Sequence, residues 1–134
     1  MTFPAARPTT YKGIRMRSRL EARVAAVIDE DWDCEWWYEP NAFADESGQY
    51  LPDFLVRFPG NPIAYYFEVK PTVEAAEAVI PRMEIIWSSD PDATLGIIVP
   101  NADAAGELVG RFLAFGRDRV WYELPSDGPS RVVK

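Results

Sequence analysis

Two apolar runs separated by a turn-forming cluster give the clearest pattern along this chain. Residues 51–58 (LPDFLVRF) and 63–69 (IAYYFEV) are rich in β-branched and aromatic side chains, and residues 59–62 (PGNP) lie between them. Runs of this composition around a Pro/Gly/Asn cluster predict a β-hairpin. If the turn is centred on the cluster, Asp53 is predicted to face Glu68 across the two strands.

This pairing predicts a small charged patch at one end of the hairpin. Directly opposed side chains on one face have Cβ atoms about 4.5–5.5 Å apart, and like charges there destabilise a sheet. Strand alternation also places Lys70 on the same face as Glu68. Asp53, Glu68 and Lys70 are therefore predicted to lie close together, and two carboxylates that share a site are what a hard divalent cation binds.

A second pattern, with apolar residues at helical spacing, predicts a helix over residues 18–30. Its apolar stripe consists of Leu20, Val24, Val27 and Ile28. Ser18 and Glu21 fit a capping box, in which the two side chains bond to each other's backbone N–H. Glu21 also shares a helical face with Val24 and Ile28, which would turn its carboxylate towards a sheet. The sequence leaves both roles of Glu21 open.

The remaining pattern alternates between strands and helices. In chain order it predicts a loose arm over 1–10, a strand over 34–40, a loop over 41–48, a helix over 72–88 that Pro81 kinks or splits, a buried strand over 93–99, a short helix over 100–115, an edge strand over 120–124 and a polar tail over 125–134. Strands that follow helices favour parallel pairing, whereas the hairpin is antiparallel. We therefore expect a single α/β domain over residues 1–134 with a mixed central sheet, in which an αβββαβ core is flanked by helices.

The composition excludes several kinds of catalysis. The chain has 134 residues, no histidine and one cysteine; this removes histidine general bases, Ser-His-Asp and Cys-His catalysis and most zinc chemistry. Any metal would need oxygen ligands, as Mg²⁺, Mn²⁺ and Ca²⁺ do. Cys34 has no partner for an internal disulfide and fits a reducing compartment such as the cytoplasm. No apolar run reaches about 18 residues and the N-terminal residues lack an apolar signal core, so no membrane association is expected.

The charge is unevenly distributed. The net charge of −7 argues mildly against a nucleic-acid partner, yet residues 1–30 hold six basic residues against three acidic ones. This basic end would suit phosphate groups, or it is only the solvated face of a helix. Charge patterning alone does not decide between the two.

Four short motifs, in order along the chain, resemble the PD-(D/E)XK nuclease superfamily. Pro52-Asp53 opens one strand of the hairpin, and Glu68-Val69-Lys70, followed by Pro71, ends its partner. Glu21, within residues 17–23 (RSRLEAR), matches the first acidic position of that superfamily. The chain is also similar to small phage and actinobacterial nuclease-like proteins, to the endonuclease subunit of Tn7-like transposases and to phage junction-resolving endonucleases. The resemblance covers roughly residues 11–99.

The resemblance implies a restriction-endonuclease-like fold and hydrolysis of DNA phosphodiester bonds with Mg²⁺ or Mn²⁺. It implies that Asp53, Glu68 and the backbone carbonyl of Val69 bind the metal, and that Glu21 orients or completes a second metal site. Lys70 would position the attacking water or neutralise the phosphate. Neighbouring phosphates would be contacted by Arg15, Arg17, Arg19 and Arg23.

Two other functions stay open from the sequence. The chain could be a catalytically silent nuclease-fold module that binds a protein, for example a phage-encoded factor against host machinery in the host cytoplasm. It could also be a subunit of a recombination or transposition complex that is active only with its partner. The acidic composition beyond residue 30 favours a protein partner, and a homodimer is equally compatible with the sequence.

Overall fold

Two helices cover opposite faces of a six-stranded sheet in the computed structural model, which describes residues 8–102 and 108–124. In chain order the elements are β1 Thr9–Tyr11, β2 Ile14–Met16, α1 Arg19–Asp31, β3 Glu35–Tyr38, β4 Phe43–Asp45, β5 Gly48–Tyr50, β6 Phe54–Arg57, β7 Tyr65–Val69, α2 Val73–Met83, a 3₁₀ helix Glu84–Ser88, β8 Thr94–Ala102, β9 Leu108–Phe115 and β10 Trp121–Leu124. No helix in the described ranges is long and apolar enough to cross a membrane.

The central sheet is mixed, which confirms the predicted α/β class and single-domain architecture. Its strands lie in the order β10-β9-β8-β7-β6-β3. Strands β7 and β8 are parallel, and every other neighbouring pair is antiparallel. Helix α1 packs on one face of this sheet, and α2 with the 3₁₀ helix packs on the other. Apolar side chains are therefore buried on both faces of the central strands.

The hairpin of β6 and β7 has the predicted register. Val56 pairs with Tyr65 and Phe54 pairs with Phe67, so the next position along the two strands sets Asp53 opposite Glu68. Strand β6 is shorter than the apolar run that predicts it and starts only after Pro52, which has no N–H to donate to a sheet. The residues that carry the candidate chemistry thus lie at the end of the ladder.

Two of the three predicted helices form, and each has an N-cap side chain. Ser18 Oγ accepts a hydrogen bond from the Glu21 N–H at 3.1 Å, and Thr72 Oγ1 accepts one from the Ala75 N–H at 3.1 Å. Pro81 lies inside α2, which ends two residues later and continues as the 3₁₀ helix. This change in helix type follows the site where proline removes a backbone donor.

The predicted short helix over 100–115 is wrong. Strand β8 runs on to Ala102, and residues 108–115 form β9, which pairs with β8 in antiparallel fashion; residues 103–107 of the predicted helix lie outside the described ranges. Phe112 packs in the core beside α1, whereas Phe115 packs in the core beside α2. Positions three apart share one side of a helix but face opposite sides of a strand. Residues 112–115 of β9 (FLAF) are apolar at every position, so periodicity did not separate this strand from a helix.

Two other expectations need correction. The predicted loop over 41–48 contains β4 and the start of β5, which pair with each other as a small hairpin. The predicted loose arm reaches too far, because Thr9–Tyr11 forms β1 and pairs with β2. Residues 1–7 of that arm and the whole predicted tail, 125–134, lie outside the described residues.

Asp29 of α1 fastens the first hairpin to the rest of the domain. Its Oδ2 accepts a hydrogen bond from the Tyr11 hydroxyl at 3.0 Å and lies 2.6 Å from Lys12 Nζ, while its Oδ1 accepts one from Trp36 Nε1 at 2.9 Å. The contacts with Lys12 and Trp36 hold the pKa of Asp29 well below its ordinary value, at about 2. One carboxylate therefore joins β1, α1 and β3.

Replacing Asp29 with Asn should lower the free energy of unfolding by about 1 kcal/mol at pH 7, because a charged acceptor of three contacts is lost at a partly exposed site. A depressed folded-state pKa stabilises the protein above the ordinary value of 3.8, and this benefit is lost as the pH falls towards about 2. Urea titrations at pH 7 and near pH 2, with the exposed Asp33→Asn as control, measure the difference. A loss of equal size at both pH values would show that the charge of Asp29 has no part in it.

Candidate active site

Three buried carboxylates meet where α1 reaches the end of the β6–β7 hairpin. Asp53 directly precedes β6, Glu68 lies in β7 and Glu21 lies in the first turn of α1. Their exposed fractions are only 1%, 5% and 6%, respectively. Arg17 Nη2 donates to both Asp53 Oδ1 and Glu21 Oε2, and the strand register sets Asp53 opposite Glu68. The structure therefore brings together three of the four predicted catalytic residues.

Burial and nearby negative charge disfavour the ionised forms of Asp53 and Glu21. Loss of solvation raises the pKa of Asp53 to about 8, and the adjacent Glu68 adds to the shift. Burial also raises the pKa of Glu21, with Asp53 as the second cause. Carboxylates in such a setting hold protons unless positive charge compensates them. The site is thus short of positive charge, which is a condition that bound cations relieve.

Arg17 supplies part of the missing charge. Its Nη2 donates to Asp53 Oδ1 at 2.6 Å and to Glu21 Oε2 at 3.2 Å, and its Nε lies 3.0 Å from Glu39 Oε2. The sequence predicts Arg17 as a phosphate contact, but in the structure its guanidinium lies across the carboxylates. Lys12 pairs with Asp29 and Arg119 pairs with Glu84, so neither of these cations compensates the cluster.

Two tyrosines that the sequence analysis missed each orient one of the carboxylates. The Tyr38 hydroxyl donates to Glu21 Oε1 at 2.9 Å, and the Tyr50 hydroxyl donates to Glu68 Oε1. Burial, followed by the charge of Glu68, raises the pKa of Tyr50, so that its phenol remains a donor. The available sequence signals were the alternation of β3, which sets Tyr38 on the same face as Trp36, and the position of Tyr50 directly before the Leu-Pro-Asp segment.

The backbone of β7 fixes the position of Asp53. The Val69 N–H donates to Asp53 Oδ2 at 2.9 Å. Because the N–H and C=O of one strand residue point to the same neighbouring strand, the Val69 carbonyl faces the same side as Asp53. This is the side on which the resemblance expects a backbone oxygen among the metal ligands.

Glu39 is a further acidic residue at the site that sequence reasoning did not single out. Its φ is +45°, a left-handed conformation that non-glycine residues rarely adopt. Its N–H donates to the Asp53 carbonyl oxygen at 2.8 Å. Left-handed backbone of this kind persists only when surrounding contacts hold it, and it is concentrated at functional sites. The unusual backbone places the Glu39 carboxylate against Arg17.

Lys70 follows β7 directly and is half-buried. Its N–H donates to the Ile98 carbonyl at 3.0 Å, which fixes its backbone to β8. Within the described ranges the Lys70 ammonium forms no ion pair, so it does not neutralise Glu68. The other predicted phosphate contacts are exposed at the surface; they are Arg15, Arg19 and Arg23.

The donor set suits a hard divalent cation, although its geometry is not that of a ready-made metal cage. No group of three or more Asp, Glu or Cys side chains in the described ranges is spaced to hold a metal ion. What the site offers is the close pair Asp53 and Glu68 beside a peptide carbonyl, and oxygen ligands of these kinds are those that Mg²⁺ and Mn²⁺ prefer. Burial, followed by the neighbouring Glu68, raises the pKa of Asp53, so a cation at this pair would favour its ionised form. Asp53, Glu68 and the Val69 carbonyl therefore fit such an ion.

The chain matches no protein-family model, no curated protein and no solved structure.

Proposed function

We propose that this chain is a nuclease that hydrolyses DNA phosphodiester bonds with Mg²⁺ or Mn²⁺, and that it belongs to the restriction-endonuclease-like fold. The observation that supports this most is the convergence of three buried carboxylates, with the pKa of Asp53 raised by burial and by Glu68. Burying like charges together costs several kcal/mol unless a cation compensates them. A fold that keeps such a group at a sheet end, beside a lysine, has the parts of a metal-dependent hydrolase.

The acidic residues have separate roles in this proposal. Asp53 and Glu68 hold the cation together with the Val69 carbonyl, and Tyr50 keeps Glu68 oriented. Glu21, oriented by Tyr38, completes the acidic cluster from the side of α1. When bound, a divalent cation supplies Lewis-acid stabilisation of the charge that builds on phosphate oxygens.

The basic residues act on the substrate. Lys70 brings a compact positive charge to the end of β7, where it positions the attacking water or neutralises the phosphate in the transition state. Exposed arginines around the first turn of α1 contact neighbouring phosphates. Such contacts position the strand without reading its sequence. The phosphate contacts assigned in this way are Arg15, Arg19 and Arg23.

The test is a cleavage assay with Mg²⁺ or Mn²⁺ on linear, nicked, branched and single-stranded DNA. Wild type should cleave at least one of these substrates, and EDTA should stop the reaction. Asp53→Asn should lower the single-turnover rate by about 10²-fold or more, because the charge of the central carboxylate is lost. Asp33→Asn, which removes an exposed carboxylate just after α1, is the matched control and should cleave like wild type.

Melting curves and the variant Glu68→Gln distinguish a loss of cleavage caused by unfolding from one caused by loss of the carboxylate. If Asp53→Asn melts far below wild type, Glu68→Gln takes its place, since the Gln carbonyl can still accept the Tyr50 hydrogen bond. Cleavage by a folded Asp53→Asn or Glu68→Gln variant at the wild-type rate would exclude the proposed site. Metal-independent cleavage by wild type would exclude the proposed chemistry.

A second candidate is a catalytically silent module of the same fold that binds a protein, either another chain or a second copy of this one. Arg17 supports this candidate, because it already compensates two of the carboxylates without a metal. The net charge of −7 also fits a basic protein partner better than DNA. Titration with Mn²⁺ separates the two candidates, since a module that only binds protein has no need for divalent-metal affinity.

A further inference from the structure

We propose that Arg17 is a built-in counter-cation that competes with the divalent metal for Asp53 and Glu21, and that Glu39 is the positioning residue that retains Arg17 when the metal binds. This inference rests on the proposed function, because it concerns the same site. Arg17 and Glu39 lie outside the Pro-Asp and Glu-Val-Lys motifs, and the proposal gives both residues a role in metal affinity.

The oxygens of Asp53 and Glu21 are divided between partners fixed by the fold and the guanidinium of Arg17. Asp53 Oδ2 accepts from the Val69 N–H, and Glu21 Oε1 accepts from the Tyr38 hydroxyl and the Arg17 N–H. The second oxygen of each group, Asp53 Oδ1 and Glu21 Oε2, accepts from Arg17 Nη2. The backbone and the phenol are fixed by the fold, so within Asp53 and Glu21 the two oxygens held by the guanidinium are those for which a cation would compete; Asp53 Oδ1 is the one that belongs to the proposed cation site with Glu68.

Arg17 lies on the solvent side of the carboxylates that it holds. The Arg17 side chain is 62% exposed, whereas the side chains of Asp53 and Glu21 beneath it are 1% and 8% exposed. The guanidinium therefore covers the acidic cluster from the solvent side. It can swing away without opening the core, and a cation that arrives from solvent meets Arg17 first.

Glu39 holds Arg17 through a different nitrogen from the one that the buried carboxylates hold. Its carboxylate holds Arg17 through Nε at 3.0 Å, whereas the buried carboxylates are held through Nη2. Glu39 is also fixed at the site by the hydrogen bond from its N–H to the Asp53 carbonyl and by its left-handed backbone. When Nη2 gives up Asp53 and Glu21, the bond from Nε to Glu39 can persist. After this release Arg17 no longer shares its charge with Asp53 and Glu21, so its contact with Glu39 becomes stronger, and this gain lowers the cost of displacing Arg17.

A guanidinium and a divalent cation cannot occupy the same two oxygens, and their charges repel each other. Metal binding must therefore release Nη2, which leaves the planar guanidinium of Arg17 at the solvent side of the site. A planar fork of this kind matches phosphate oxygens. Arg17 would then contact the scissile region only after the metal has bound, in contrast to the exposed arginines elsewhere in the N-terminal part.

The experiment measures Mn²⁺ affinity by calorimetry in four proteins: wild type, Arg17→Gln, Glu39→Gln and the double variant. Arg17→Gln should bind Mn²⁺ about tenfold more tightly than wild type, because the competing cation is gone. Glu39→Gln should bind it several-fold more weakly, because displaced Arg17 loses its partner. The double variant should match Arg17→Gln, since Glu39 acts only through Arg17.

Glu35 and Arg57 provide a matched control pair, because they face each other at the opposite end of β3 and β6. Glu35→Gln and Arg57→Gln change the net charge by the same amounts as the test variants and should leave Mn²⁺ affinity unchanged. If Arg17→Gln does not fold, Arg17→Lys replaces it, because an ammonium cannot bridge Asp53, Glu21 and Glu39 at once; this variant should also bind Mn²⁺ more tightly than wild type.

The outcomes separate this inference from the proposed function. If none of the proteins binds Mn²⁺, the proposed metal site itself fails. If wild type binds Mn²⁺ but the Arg17 variants bind it equally or more weakly, the metal site stands and competition by Arg17 is excluded. If Glu39→Gln weakens binding equally in the presence and absence of Arg17, Glu39 acts through its own charge and is not a positioning residue.

Discussion

Replacing Lys70 with Ala should lower the single-turnover cleavage rate by about 10²–10³-fold while leaving Mn²⁺ affinity within a few-fold of wild type. An ammonium is not a metal ligand, so its loss does not remove a donor from the site. Its positive charge, however, is placed by the fold at the end of β7, where the Lys70 N–H is held by the Ile98 carbonyl. Within the described residues the ammonium forms no ion pair, which leaves it available to a phosphate or a water molecule.

Lys70→Arg distinguishes a catalytic lysine from a general positive charge. A guanidinium is larger and planar and cannot place a compact charge where the ammonium lies, so this variant should also fail. Rates are compared under single-turnover conditions at saturating Mn²⁺, with Arg57→Ala as a control for the loss of a cation elsewhere on the sheet. An Arg variant within a few-fold of wild type would exclude the specific role and leave Lys70 as a source of local positive potential.

The hairpin shows how far sequence patterns can define this site. Its register depends on short-range features, namely two strands rich in β-branched and aromatic residues and the turn between them. Once the turn is placed, strand alternation fixes which side chains face each other, and Asp53 comes to lie opposite Glu68. The cap at Ser18 and the stripe on α1 similarly allow Glu21 to be placed on the buried side of its helix.

The contacts of Arg17, Tyr38 and Tyr50 could not be predicted in the same way. Arg17 lies at the junction between β2 and α1, and its contacts reach residues on three different elements. Long-range contacts of this kind depend on how the helix packs over the end of the sheet, which no local pattern encodes. A basic residue near the start of a helix is also compatible with a solvated surface. The presence of Arg17 in the sequence therefore does not indicate which carboxylates it contacts.

The misassigned strand β9 has a different origin. The apolar positions of residues 108–115 satisfy a helical stripe and a buried strand equally well, and length does not separate the two. The partner decides the outcome, because β8 pairs along one side with β7 and its other side needs hydrogen bonds. Strand β9 supplies those bonds over the full length of β8. Tertiary pairing therefore overrides the local pattern here.

Replacing Glu68 with Gln should raise the stability of the metal-free protein by about 1–2 kcal/mol at pH 8, because it removes the charge that opposes ionisation of Asp53. The Gln carbonyl can still accept the hydrogen bond from Tyr50, and its amide can donate to Asp53. Asp53→Asn is expected to gain less, since it weakens the contact between Asp53 Oδ1 and Arg17. Thermal and urea unfolding in EDTA measure these differences.

The raised pKa of Asp53 makes the stability of the wild-type protein depend on pH. The pKa of Asp53 is about 8 in the folded protein against an ordinary value of 3.8. Between these values the folded state holds a proton that the unfolded state has lost, so wild-type stability should fall as the pH rises, by up to about 1 kcal/mol per pH unit.

Glu68→Gln should flatten the slope between the two pKa values, and its advantage over wild type should shrink below pH 5. Glu46→Gln, at an exposed turn, is the control and should follow the wild-type curve. A Glu68→Gln variant that is less stable than wild type throughout would mean that the contact with Tyr50 outweighs the repulsion from Asp53. The carboxylate pair would then be a structural element of the fold, with no unmet demand for a cation.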